Sequence, residues 1–98
     1  MAQMADQIAA VVDYVKQAFP GQDVWDSRND DRSAHTVSVG TDGGVLLLTA
    51  SFEFLSDNTP SEVQKLLTKW RVAEALREEA GSTKRLLVTR DGWKVTSR

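Results

Sequence analysis

The chain has no cysteine. That excludes disulfides, thiolate zinc sites and cysteine nucleophiles together, and it fits a reducing compartment. No run approaches about 18 consecutive apolar residues, so no segment reads as membrane-spanning. The opening residues, Met1 to Val12, lack a basic start and are interrupted by Asp6, so they do not read as a signal peptide. The expected location is the cytoplasm. There is no internal repeat, no low-complexity tract and no long linker. Residues 1–98 therefore read as a single domain.

What is present points to a packed core: 41% of residues are apolar and 27% charged. The net charge of −2 hides an asymmetry. Residues 1–59 hold nine acidic and three basic residues, a balance of −6; residues 60–98 hold five and nine, a balance of +4. Either the two halves neutralise each other in the folded domain, or the basic half presents a patch to an anionic partner.

The longest apolar run, Gly44 to Leu55, organises the rest. Leu46, Leu48, Ala50, Phe52 and Phe54 alternate with Val45, Leu47, Thr49, Ser51 and Glu53, the pattern of a central strand. Before it, Met4, Ile8, Val11, Val12, Val15 and Phe19 make one helical stripe, predicting a helix from about Met4 to Ala18 that Pro20-Gly21 ends. Gln22–Ser27 and Ser33–Val39 read as strands. The turn chemistry of residues 40–44 joins the second of these to the organising strand as a hairpin. After Asn58, Thr59 is a capping residue, Pro60 fits the first helical position and Glu62 completes a capping box. That helix is expected to reach about Ala80, with Gly81 as its C-cap. Lys84–Arg90 and Trp93–Ser97 flank Asp91-Gly92, a hairpin signal that pairs Arg90 with Trp93 and Val88 with Val95. The expected fold is α+β: a two-layer sandwich, an antiparallel sheet of about five strands with two helices on one face, in the order α-β-β-β-α-β-β.

The second helix changes phase midway. Val63, Leu66, Leu67, Trp70 and Ala73 lie together, but Glu74 and Arg77 then fall on the centre of that stripe while Val72 and Leu76 fall on the far side. Either the helix bends, or Val72 and Leu76 mark a partner or dimer surface. Val45, Leu47 and Leu87 are a second such candidate. They belong to the sheet face away from the helices, among Thr36, Ser38, Thr49, Thr89 and Thr96, and are more apolar than water requires.

Catalytic and cofactor signals are weak. His35 has no cysteine to act with and no nucleophile-elbow pattern around it, so it reads as a hydrogen-bonded structural residue. Asp23, Asp26, Asn29, Asp30 and Asp31 are rich in oxygen, but they lack the glycine of a calcium loop and are interrupted by Arg28 and Arg32. They read as a solvated loop or an acidic contact surface. Gly40, Gly43 and Gly44 lead into a strand, whereas a phosphate cradle needs a helix. No cofactor, no metal and no enzymatic activity are expected. A basic set, Lys65, Lys69, Lys84, Arg85, Arg90 and Lys94, could serve nucleic acid, with Trp93 stacking on a base, although the pI is about 5.3.

The element order resembles the early part of the small acidic secretion chaperones, whose second helix lies at a dimer interface. It is also similar to the α-β-β-β-α order of double-stranded-RNA-binding domains. No closing helix is read after the final hairpin, and Thr59-Pro60-Ser61-Glu62 stands where the RNA-binding pattern has basic residues. No functional residue is carried over from either. The sequence leads to the expectation of a small non-enzymatic protein-binding module, an adaptor, inhibitor or chaperone-like protein. Its partner would be another protein or a second copy of itself. Nucleic-acid binding by the basic C-terminal half is the alternative, and no membrane partner is expected.

Overall fold

A three-stranded meander and a hairpin, joined by a helical crossover, build the molecule. The computed structural model describes residues 4–29, 33–79 and 84–97. Helix α1, Ala5–Ala18, buries Ala10, Val11 and Val15 on the stripe that the helical spacing marks. It closes at Phe19, and Gly21 takes φ +81°, a conformation open to glycine without steric cost. Strands β1 (Asp23–Asn29), β2 (Ala34–Thr41) and β3 (Gly44–Ser51) follow as an antiparallel meander. Helices α2 (Phe52–Ser56), α3 (Pro60–Lys69) and α4 (Val72–Glu78) then carry the chain to the hairpin of β4 (Lys84–Thr89) and β5 (Gly92–Ser97).

The sheet order is β1-β2-β3-β4-β5, with β3 at its centre. The α+β class stands, with three corrections to the expected detail. First, the sheet is mixed rather than antiparallel throughout. The helices return the chain across the layer, so β4 runs parallel to β3, pairing Leu48 with Leu86 and Ala50 with Val88. Second, the organising strand ends at Ser51 rather than Leu55. The Ser51 hydroxyl accepts from the Phe54 amide at 3.1 Å and caps α2. The helical turn brings Leu55 into the core beside Phe54, where alternation along a strand would have sent the two to opposite faces. Third, the final hairpin turns at Arg90-Asp91, pairing Val88 with Trp93 and Leu86 with Val95. Two residues of register shift leave the same side chains on the same face.

The expected second helix is two helices. Its start is as read: the Thr59 hydroxyl accepts from the Glu62 amide, and the Glu62 carboxylate accepts from the Thr59 amide at 2.8 Å. The break falls at Arg71, which is left-handed with φ +54° and ψ +45°. That kink resets the phase, so Val72, Ala73, Ala75 and Leu76 turn inward while Glu74 and Arg77 remain in solvent. The C-cap expected at Gly81 lies outside the described residues. All four helices pack on one side of the sheet, against Val37, Val39, Leu46, Leu48, Ala50, Leu86 and Val88. No helix of the described residues is long and apolar enough to cross a membrane.

Candidate functional site

Strand pairing assigns every side chain of the sheet to the helix layer or to the opposite face. Across that opposite face run Trp25, Ser38 and Leu47, and beside them Thr36, Thr49, Leu87 and Lys94. No described helix covers it. β2 contributes only small side chains there: Ala34, Thr36, Ser38 and Gly40. The strands around it are bulkier. The Trp25 ring leans over Gly40, 3.4 Å from where a Cβ would stand. The result is a low strip along β2, which the Trp25 ring covers at Gly40 and which Val45 and Leu47 border on the other side.

Exposure separates this face from an ordinary solvated one. Trp25 is 47% exposed and Val45 38%, and Leu47 and Leu87 are partly exposed. Yet Thr36 and Thr49 beneath them are buried, with their hydroxyls 3.1 Å apart. Arg85 Nη1 donates to Thr49 Oγ1 at 3.4 Å. A shallow hollow of about 310 Å³ lies between β2 and β5, with Ala34 and Leu87 as apolar floor and Arg85, Thr89 and Thr96 as polar wall. A larger hollow of about 470 Å³ sits at the β4–β5 turn, but its charged walls include Glu53 and Arg90, which are ion-paired with each other.

The other expected site residues divide sharply. Val45, Leu47 and Leu87 do share the open face. Val72 and Leu76 do not form a surface: they are 0% and 1% exposed within the core cluster, because the break at Arg71 turns them inward. The expected bend, not the partner surface, accounts for the misphased stripe. The basic set does not form one patch. Lys65 and Lys69 ride on α3, and Arg90 lies against Glu53 and Asp57. Arg85 and Lys94 project from the open face, while the alternation of β4 sends Lys84 to the other. Trp93 is 40% exposed, and its indole N–H donates to the Trp70 carbonyl at 2.9 Å.

His35 is buried, with Nε2 at 2.6 Å from Asp26 Oδ2, which makes it the hydrogen-bonded residue expected. An ionised carboxylate only accepts, so Nε2 carries the proton. The pair stands on the helix side beside Ile8, Val11 and Leu55, away from the open face. Among the described residues no cluster of His, Asp and Glu could hold a metal ion. Asp26 is engaged by His35, and Asp30 and Asp31 lie outside the described residues.

Sequence reasoning missed Trp25. Alternation placed it opposite Val24 without saying which of the two faces the core. The signal was available in β2: if Val37 and Val39 pack inward, antiparallel pairing puts Val24 with Val39 and Trp25 with Ser38. No family model, curated protein or solved structure matches this chain.

Proposed function

We propose that this protein is a small, non-enzymatic protein-binding module that acts through the open face of its sheet. The observation that carries the reading is the grouping of Trp25, Val45, Leu47 and Leu87 on a face that no described helix covers. Exposed apolar side chains are ordinary when scattered, and suggest an interface when they gather around an aromatic anchor. A protein partner is preferred to nucleic acid because Lys65, Lys69, Lys84, Arg85, Arg90 and Lys94 are spread over both sides of the sheet, and Arg90 already lies against two carboxylates. Adaptor, inhibitor or chaperone-like action all follow from one rigid face that buries a partner's surface.

The test is affinity capture from source-cell lysate with wild-type protein, Trp25→Lys and Trp93→Lys, each at low and moderate salt. A protein retained by wild type and by Trp93→Lys, and lost with Trp25→Lys, supports the reading. Nucleic acid that leaves as salt rises would overturn it, as would capture indifferent to Trp25.

A further inference from the structure

The hollow of about 310 Å³ between β2 and β5 has its cause in the strand pairing. Ala34 lies beside Ser51, and the parallel register of β3 and β4, carried one residue on from Ala50 and Val88, sets Thr89 on the other side of Ser51. Three short side chains on three adjacent strands leave a low area. Leu87 and Arg85, which precede Thr89 on the same face of β4, are longer and wall it.

The lining is chemically one-sided. Arg85 is half-buried, and its Nη1 donates to Thr49 Oγ1 at 3.4 Å, which sets the guanidinium against β3. A guanidinium presents its N–H donors in a planar fork, the shape that meets a carboxylate. The Ser51 hydroxyl accepts from the Phe54 amide, so its own proton remains to donate. The Thr96 hydroxyl is a further donor in the lining. Thr89 is committed to its own turn: its hydroxyl accepts from the Asp91 amide and donates to the Gly92 carbonyl. Among the described residues no carboxylate lines this hollow. Lys94, beside Leu87 on the same face, adds positive potential. The larger hollow at the β4–β5 turn is different, because Glu53 and Asp91 line it and its Arg90 is ion-paired with Glu53.

We propose that the hollow beside Arg85 binds a carboxylate borne on a short aliphatic chain. The carboxylate lies on the Arg85 guanidinium, with Ser51 and Thr96 donating to it, and the chain lies on Ala34 and Leu87. Charge selects a monoanion. One cation among the described residues lines the hollow, and the second charge of a phosphate dianion would be taken out of water without a partner. The floor selects the aliphatic part: an inorganic ion covers Ala34 and Leu87 with nothing apolar and gains nothing from their burial. The volume is at the lower bound of about 300 Å³ for small-molecule sites, so the chain is short. The same group is offered by a free short-chain acid and by a glutamate side chain or C-terminus of a protein held on the open face. The site stands apart from the protein-binding reading, since a free acid fills it without a partner.

The test is titration of the isotope-labelled chain with sodium butyrate near neutral pH, followed by amide chemical shifts. Butyramide serves as the uncharged isostere and inorganic phosphate as the ion without a chain. Butyrate should give saturable shifts at Ala34, Ser51, Leu87 and Thr96, with a dissociation constant of about 1–10 mM for a ligand this small. Butyramide and phosphate should bind at least about tenfold more weakly. Arg85→Gln should raise the butyrate constant at least about tenfold. Lys94→Gln removes the same charge from an exposed position outside the hollow, and should change it by less than about threefold. Circular dichroism confirms folding, and the wild-type titrations decide by themselves if Arg85→Gln does not fold. Shifts that do not saturate, that fall outside the hollow, or that butyramide reproduces overturn the proposal. So do equal losses in Arg85→Gln and Lys94→Gln, which would mark a diffuse positive field. Affinity capture with Arg85→Gln then locates the carboxylate. Loss of a captured protein together with butyrate binding places it on that protein; loss of butyrate binding alone places it on a free acid. If butyrate does not bind and Trp25→Lys still loses a captured protein, the carboxylate site alone is refuted and the protein-binding reading survives.

Discussion

The Tyr14 hydroxyl accepts a hydrogen bond from the Ala73 amide at 3.0 Å and donates one to the Leu67 carbonyl at 3.1 Å. These two backbone groups lie on either side of the break at Arg71. Leu67 belongs to the last turn of α3, and its carbonyl has lost the amide that a continuous helix would supply. Ala73 belongs to the first turn of α4, where amides have no partner within the helix. One side chain from α1 satisfies both. The Trp93 indole does the same for the Trp70 carbonyl. The kink that buries Val72 and Leu76 is thus held by two aromatic side chains from elsewhere in the fold.

Replacing Tyr14 with Phe keeps the ring and removes the bridge. The Ala73 amide and the Leu67 carbonyl would be left half-buried without that partner, at a cost of about 1–3 kcal/mol. The expected outcome is a lower urea midpoint at unchanged slope. An unfolding free energy within about 0.5 kcal/mol of wild type would mean that water replaces the hydroxyl.

Burial raises the Tyr14 phenol above its ordinary 10.0, and the nearby Glu74 carboxylate adds to the shift. The hydrogen bond from Ala73 and the Arg77 charge oppose it. Because the folded value exceeds the unfolded one, the native state holds this proton more tightly. Stability linked to Tyr14 is whole below about pH 10 and is lost as pH rises through the raised folded value. Tyr14 is the single tyrosine of the chain, so tyrosinate absorbance follows it without interference from others. Alkaline titration should show a midpoint above that of the urea-unfolded protein. Tyr14→Phe should remove the corresponding part of the alkaline loss of stability.

Arg71 occupies a conformation that costs an L-residue about 1–2 kcal/mol. Its contact with Glu74, at 3.8 Å between exposed side chains, offsets little of that. Arg71→Gly removes the steric cost but adds chain entropy to the unfolded state, so a net gain of up to about 1 kcal/mol is expected. Arg71→Val should destabilise by more than 1 kcal/mol, since branching at Cβ worsens the same clash. Both are read from thermal and urea unfolding. Equal effects of Gly and Val would show that the left-handed geometry is not what matters at this position.

The boundaries of the sequence reading have physical causes. The capping box at Thr59, the stripe of α1 and the Asp42-Gly43 hairpin are local signals, and each survives because nothing distant opposes it. The end of β3 was misread because Phe52 and Phe54 continue an alternating pattern, while the Ser51 cap that stops the strand is shared by many serines in sheets. The parallel pairing of β3 with β4 depends on where three helices return the chain, which no short window contains. Of the open face, Val45, Leu47 and Leu87 were legible from alternation. Trp25 was not, because β1 has a single strong apolar residue on each side and its orientation is decided by β2.

Val72 and Leu76 offer the sharpest contrast between a stripe read as one helix and the broken helix itself. As a surface, they would tolerate charge and respond by changing assembly. As core residues, they lose packing with every atom removed. Leu76 is 1% exposed, so Leu76→Ala should cost about 2–5 kcal/mol from lost transfer energy and the cavity left behind. Val72 is 0% exposed within the core cluster, so Val72→Glu buries a charge and should unfold the domain. Circular dichroism and urea unfolding check both. A Val72→Glu protein that keeps its secondary structure and its unfolding midpoint would place Val72 in solvent, and α4 would then continue the phase of α3 after all.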